Sequence, residues 1–217
     1  MDKNPFPYNY IVVEGNIASG KTSFCERIGE IYGCRLILEK FDENPFLPYF
    51  YEDQERFAFA VELFFMTERI KQLQRNLINQ DLFSSFTVAD YGFVKSLLFA
   101  RKNLNEEEYR MFTKMFNAFH GAFPNPDILV YFHRAVPELM TNIDKRGREY
   151  EQHIEADYLQ TIQDSYFEYF RNILSFPVII LDVSSVDFIN NKGHFQTVES
   201  LLKKSYLPGV HRISISI

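Results

Sequence analysis

Gly15-Asn16-Ile17-Ala18-Ser19-Gly20-Lys21-Thr22 is the stretch that decides how this chain folds. It reads G-x-x-x-x-G-K-[ST] and lies between a short β-branched run, Tyr10 to Glu14, and an apolar-periodic segment reaching about Tyr32. Strand, glycine loop and helix in that order make a phosphate cradle. The glycines let backbone N–H groups curl around a β-phosphate, and the helix N-terminus adds the positive end of its dipole. Lys21 then reaches the β- and γ-phosphates and the Thr22 hydroxyl ligates Mg²⁺, so the eight residues form the expected ATP site. With glycine near 7% of average composition, a chance match in such a chain is roughly a one-in-a-hundred event. The cradle alone does not separate a kinase from a switch. A guanine-reading GTPase needs N-K-x-D, whereas Asn191-Lys192 is followed by Gly193-His194. Asp144-Lys145-Arg146-Gly147 fits D-x-x-G but falls at a helix end late in the chain, not after the third strand.

Outward from the cradle, four more short apolar runs read as strands: Leu36 to Leu38, Phe86 to Ala89, Ile128 to Phe132 and Val178 to Leu181. A loop with Pro45 and Pro48 leads into a long amphipathic helix from about Asp53 to Asn79. Helices follow at roughly 92–101, 105–120, 136–145 and 156–174. Short, non-alternating strands separated by helices predict an α/β fold, a five-stranded parallel sheet with helices on both faces. Ligands in such sheets sit at the carboxyl ends of the strands. No linker divides residues 1–217, so one domain is expected, with the tail from about 205 unassigned.

Composition narrows the class. The 217 residues are 46% hydrophobic with 23 Phe and 13 Tyr, enough for a sizeable core and without a disorder signature. A net charge of −6 argues against a nucleic-acid or membrane partner. Cys25 and Cys34 read as reduced thiols of a cytoplasmic protein, since a stapled secreted domain carries more cysteines. No apolar run approaches a membrane span, and the polar start at Met1-Asp2-Lys3-Asn4 lacks the apolar core of a signal peptide.

Several residues have the chemistry of an acceptor site. Glu39 ends the second strand, at the sheet edge where a γ-phosphate must lie, and a carboxylate there can take a proton from an attacking hydroxyl. The alternative is a solvated loop charge. Glu62 sits among Ala58, Phe59, Phe65 and Met66 on one helix face, a costly place for a carboxylate without a partner. Arg69, two turns on, is either that partner or a second ligand contact. Tyr51 lies three turns before Glu62 if the helix extends so far. Lys145-Arg146-Gly147-Arg148-Glu149 is either a solvated charge run or a mobile lid that neutralises phosphoryl charge.

These residues together resemble the deoxyribonucleoside kinase family, particularly its bacterial deoxyadenosine/deoxyguanosine kinase branch, from about Tyr10 to Leu202. The resemblance implies ATP-dependent phosphorylation of a nucleoside 5′-hydroxyl, with Glu39 as base and Lys21, Arg146 and Arg148 as the charge clamp. It implies that Tyr51 and Glu151 hold the sugar 3′-hydroxyl, and that the helix from Phe57 to Ile70, with Glu62, Met66 and Arg69, reads the substrate. It puts Asp90 in the Mg²⁺ shell with Thr22, and Asp187 and Phe188 against the adenine of ATP. A homodimer inhibited by a dNTP end product is also implied.

The chain departs from the family at three points. Glu62 stands where Gln is usual, Tyr91 follows Asp90 where Arg is usual, and Asn142 replaces the first Arg of the fuller lid pattern. Lys95, about one helical turn beyond Tyr91, is a candidate replacement for the missing Arg. A carboxylate only accepts, so Glu62 needs N–H donors on the base, which favours purines. Guanine offers two adjacent donors; the resemblance places deoxyadenosine first and deoxyguanosine second. The alternatives are a thymidylate-type nucleoside monophosphate kinase and a catalytically silent NTP-binding regulatory domain.

Overall fold

Tyr10–Gly15 forms the strand β1, whose residues from Ile11 onward are buried, and its two faces serve two cores. Val12 packs with Leu129, Tyr131, Val178 and Ile180, while Ile11 and Val13 pack with Ile128, Val130, Phe132, Ile179 and Leu181. Burial on both faces is why the strand sequences are continuously apolar. The computed structural model describes residues 4–40, 43–78, 85–173, 175–188 and 190–215. The other strands are β2 (Arg35–Ile37), β3 (Thr87–Ala89), β4 (Ile128–His133), β5 (Pro177–Asp182) and β6 (Gly209–Ser214). They form one parallel sheet of six strands in the order β2-β3-β1-β4-β5-β6. The helices are α1 (Lys21–Tyr32), α2 (Leu47–Glu52), α3 (Gln54–Leu73), α4 (Lys95–Asn103), α5 (Glu106–His120), α6 (Val136–Arg146), α7 (Ala156–Phe170) and α8 (Lys192–Leu202).

Two expectations change. The sheet has a sixth strand, drawn from the unassigned tail and running parallel to β5. Its residues alternate between partly buried and exposed, since an edge strand meets the protein on one face, and the polar Arg212 and Ser214 mask it in the sequence. The long helix starts where expected but is shorter, and the proline-containing loop before it holds the short helix α2. Asp53 ends α2 and caps α3, its carboxylate accepting from the Arg56 N–H at 3.2 Å. α3 gives way to a π-helical turn at Gln74–Ile78, and Asn79 lies outside the described residues. Tyr51 therefore belongs to a separate short helix, not to the helix of Glu62. Cys25 and Cys34 are both free thiols. Among the described residues no helix is long and apolar enough to cross a membrane.

Candidate active site

β1 lies between β3 and β4, so the chain order reverses beside it, and the loops leaving β1, β2 and β3 open at the carboxyl edge of this switch point. Gly15–Thr22 leaves β1 and enters α1. Gly20 holds φ at 91°, and a Cβ there would lie 2.7 Å from the Phe188 ring, so glycine is required twice over. The Asn16 amide donates to the Leu159 carbonyl at 2.8 Å and its oxygen accepts from the Ile17 N–H at 2.9 Å, tying the loop to α7. Asn142, in the place of the lid pattern's first arginine, donates to the Ala18 carbonyl at 3.0 Å. Lys21 donates to the Asn16 carbonyl at 3.2 Å. Burial, and then the charge of Lys95, push its ammonium down to about 8.

Thr22 and Asp90 meet directly, the hydroxyl donating to one carboxylate oxygen at 2.5 Å. The other Asp90 oxygen accepts from the Glu39 backbone N–H at 2.8 Å, which ties the ends of β2 and β3 together. Burial, then the nearby Glu39 charge, raise the Asp90 carboxyl, which a cation at this position would offset. The pair fits Mg²⁺, a hard ion that takes one or two protein oxygens and completes its shell with phosphates and water. Among the described residues no cluster of three His, Cys, Asp or Glu offers a metal site of another kind.

Glu39 is the centre of a buried charge cluster. Arg69 donates to its Oε1 from Nε at 2.9 Å and also from Nη2, and the Lys95 ammonium donates to its Oε2 at 2.5 Å. The Glu39 and Lys95 side chains are only 8% and 6% exposed. Burial alone would raise the Glu39 carboxyl, but the charges of Arg69 and Lys95 outweigh it and hold the group well below the usual carboxylate range. Lys95 thus supplies a cation to Glu39 in the absence of an arginine after Asp90. Tyr91 itself turns away, donating to Gln72 at 2.7 Å with its ring under the Arg69 guanidinium. The sequence offers Lys95 as a candidate for the place of the missing arginine, and the packing of α4 against α3 brings it to Glu39.

Arg69 is the partner of Glu39, not of Glu62. The Glu62 carboxylate takes a hydrogen bond from the Asn103 amide at 2.6 Å, and its Oε2 is buried without a partner. Burial pushes Glu62 up to about 7, against the opposing charge of Arg69. Met66 is a correction: it faces the core with Val61 and Leu73 and does not line the cavity.

The lid residues meet around Glu151. Arg146 donates to Glu151 Oε2 from Nε at 2.9 Å, and Arg148 to Oε1 at 3.5 Å. Gly147 between them ends α6 at φ 66°, closing the helix onto the Ile143 carbonyl. Tyr51 stacks on Tyr150 with ring centres 6.3 Å apart, and Tyr51 and Glu151 line the same cavity. Asp187 and Phe188 line the nucleotide cleft beyond the P-loop, but the Phe188 ring is packed against Phe24 and Phe132 beneath Gly20. It supports the loop instead of presenting a face to a base.

Two further residues escaped sequence reasoning. Arg134, just past β4, donates to the Ser19, Ser184 and Val186 carbonyls and joins the P-loop to the segment after β5. Glu14, fully buried, accepts from the Gly92 N–H at 2.6 Å and from the Tyr166 hydroxyl at 2.8 Å, fixing the turn after Asp90. Its position directly before the first glycine of the cradle was the available signal.

The site has two compartments. One is a cleft over the P-loop, lined also by Arg134, Ser184 to Phe188 and Asn190. The other is a cavity over Glu39, walled by α2, α3, α4 and the lid. Ala18, Lys21, Thr22 and Arg146 line both, so the two spaces meet over the Lys21 ammonium. Such an arrangement holds a nucleotide on one side and presents its terminal phosphate to a group beside Glu39.

The deoxynucleoside kinase family model matches residues 11–206. A deoxyguanosine kinase of Bacillus subtilis is 28% identical over 199 residues, covering 90% of this chain and 96% of that protein. A deoxyadenosine/deoxycytidine kinase of the same organism is 25% identical over 204 residues, covering 91% and 94%. The structure of deoxyadenosine kinase from M. mycoides with bound dATP covers 89% of this chain and 99% of its own, with a TM-score of 0.75 at 22% identity, and so shares the fold.

Proposed function

Because this chain belongs to the deoxynucleoside kinase family, we propose that it transfers the γ-phosphoryl group of ATP to the 5′-hydroxyl of a purine deoxyribonucleoside. The observation that carries this reading is Glu39. It is ionised, held by Arg69 and Lys95, and lines the acceptor cavity together with Lys21, which lines the nucleotide cleft as well.

The strongly depressed carboxyl of Glu39 defines its part. So weak a base does not remove the proton early; it orients the hydroxyl by accepting its hydrogen bond and takes the proton as the O–P bond forms. Oε1 accepts twice from Arg69, whereas Oε2 accepts from Lys95 and keeps a second lone pair for the hydroxyl. Phosphoryl transfer suits such a group, because its loose transition state is served mainly by positioning and by charge stabilisation. The 5′-oxygen bonds to the γ-phosphorus, the bond to the β–γ bridging oxygen breaks, ADP leaves, and the proton goes through Glu39 to water. Lys21, Arg146 and Arg148 neutralise charge on the phosphoryl oxygens, the arginines swinging from Glu151. Thr22 and Asp90 would hold Mg²⁺, which neutralises the β- and γ-phosphates. Tyr51 and Glu151 take the 3′-hydroxyl. Asp187 and the backbone over Phe188 flank the ATP adenine.

An acceptor already carrying a phosphate fits less well, since Lys40 faces outward and pairs with Glu43 at 2.7 Å. The reading extends to a cytoplasmic homodimer inhibited by a dNTP; dNTP binding has support in the M. mycoides deoxyadenosine kinase, solved with bound dATP and with bound dCTP, while the dimer and the compartment rest on the family resemblance. The relatives are named for both purines and one of them also for deoxycytidine, so the purine preference and the order of deoxyadenosine and deoxyguanosine rest on the chemistry around Glu62. Steady-state kcat/KM for the four deoxynucleosides, with the product identified as the 5′-monophosphate, tests the reading. An unmatched buried carboxylate costs about 1–3 kcal/mol, so purines should lead thymidine by about tenfold or more. A pyrimidine as best substrate, or no nucleoside-dependent ATP turnover, would overturn it.

A further inference from the structure

The cavity over Glu39 ends, away from the P-loop, at two side chains from different helices. Glu62 of α3 and Asn103, the last residue of α4, are joined by the Asn103 amide N–H donating to Glu62 Oε1 at 2.6 Å. That bond satisfies one atom of each residue and leaves one. Glu62 Oε2 and Asn103 Oδ1 are both buried without a hydrogen-bond partner, and both residues line the cavity. Buried polar atoms are rarely left so, because each costs most of its desolvation penalty. Two such oxygens, on side chains that are joined to each other and both line one cavity, are a binding edge awaiting its complement.

Resting on the purine deoxynucleoside reading, we propose that Glu62 and Asn103 together read the nucleobase, and that the proton on Glu62 selects the purine: guanine when the carboxylate is ionised, adenine when it is protonated. With Glu62 ionised, the edge presents two acceptors. Guanine answers with the adjacent N1–H and N2–H donors. With Glu62 protonated, Oε2–H donates while Asn103 Oδ1 still accepts. That donor–acceptor edge fits adenine, whose N1 accepts and whose N6–H donates. Guanine offers two donors and adenine a donor beside an acceptor, and a single proton on Glu62 converts one member of the oxygen pair to match.

The surroundings allow the switch near neutral pH. Burial pushes Glu62 up to about 7, while Arg69 of α3, Lys95 of α4 and the Asn103 donor favour the charged form and Glu39 opposes it. Glu39 stays ionised throughout, as its own carboxyl is held far below this range. From α2 and α7, the Tyr51 and Tyr158 hydroxyls are pushed upward by burial and stay neutral. Glu62 is thus the group at this end of the cavity that changes charge in the window.

The experiment measures kcat/KM for deoxyguanosine and deoxyadenosine over roughly pH 5.5–8.5. Their ratio is the readout, since titration of the shared phosphate machinery, Lys21 included, cancels in it. For the unaltered protein the deoxyguanosine-to-deoxyadenosine ratio should rise with pH, by about tenfold or more across the range. Glu62→Gln cannot ionise, so its ratio should be flat. Asn103→Ala removes a donor that favours the charged carboxylate, so the midpoint of the ratio should move to higher pH while the KM for ATP holds. Asn103→Asp, of the same shape, should move the midpoint in the same direction if the Ala variant folds poorly. A purine ratio independent of pH, with both purines phosphorylated, would sink this inference alone. An unshifted midpoint in both Asn103 variants would do the same. Failure to phosphorylate either purine would instead defeat the underlying reading and this inference with it.

Discussion

Lys95→Ala removes the ammonium that lies 2.5 Å from Glu39 Oε2, in a pair where neither side chain is more than 8% exposed. Breaking a buried ion pair by deleting one partner typically costs 3–5 kcal/mol, because the remaining charge loses its compensation. Arg69 stays on Oε1, so the lower end, about 3 kcal/mol, is the appropriate figure. For a chain of this size that corresponds to a Tm lower by roughly 6–12 °C. Activity should fall further than stability explains. Lys95 holds the carboxylate that orients the hydroxyl and adds positive charge near the transferring group, and removing one such contact costs about a hundredfold in kcat. The sign of the pH effect is also fixed. A depressed carboxyl stabilises the fold above its unfolded pKa and loses that contribution as pH falls through the folded value. Without Lys95 the Glu39 carboxyl rises towards its ordinary value, so acid unfolding and the acid limb of kcat should both begin at higher pH. Circular-dichroism melts and an ADP-release assay below the variant's Tm separate the two effects. A Lys95→Ala protein that keeps more than half of kcat and melts within a degree or so of the parent would refute the reasoning and return Lys95 to the helix surface.

Arg148→Ala should lower kcat/KM by roughly 2–4 kcal/mol equivalents, as expected for a group acting on transferring charge, with ATP binding much less affected. Tyr51→Phe and Glu151→Gln should raise KM for the deoxynucleoside, and 3′-deoxy analogues should be poor substrates; equal turnover of a nucleoside and its 3′-deoxy analogue would remove the sugar assignment. Glu62→Gln should stabilise the protein at alkaline pH. Burial raises the native carboxyl to about 7 from its ordinary value of 4.5, so between those values the folded state binds more protons and stability falls as pH rises. At 1.36 kcal/mol per unit the difference is about 3 kcal/mol at pH 8 and close to nothing at pH 4. Denaturant titrations at the two pH values check it, and an equal effect at both would show that ionisation of Glu62 is not the cause.

Much of the fold was legible because a phosphate cradle constrains its flanks. A strand must precede Gly15, a helix must follow Gly20, and a β1 buried on both faces leaves little besides a parallel sheet. The edge strand β6 was hidden by its polar alternation, and Pro45 and Pro48 read as a loop although Pro48 sits in the first turn of α2. The site divided along the same line. Residues whose chemistry is local to a loop, such as Lys21, Thr22, Glu39 and Arg148, could be named from the sequence. Those whose meaning arises between elements could not be placed. Asn103 looks like a helix terminus until α3 brings Glu62 to it, Glu14 looks like a strand end until Gly92 and Tyr166 reach it, and Met66 shares a helix with Glu62 but points into the core. Arg69 and Lys95 show the same effect: Arg69 could be named as a partner of Glu62 or a ligand contact and Lys95 as a stand-in for the missing arginine, but only the packing of α3 against α4 delivers both to Glu39.

The central claim is that Glu39 receives the 5′-hydroxyl, and Glu39→Gln tests it most directly. The amide keeps the shape of the side chain but cannot take the proton, so kcat should fall by about 10²–10⁴-fold. KM for ATP should stay close to its original value, because the nucleotide cleft is built by other residues. A folded Glu39→Gln protein that retains more than half of the original kcat would contradict the account.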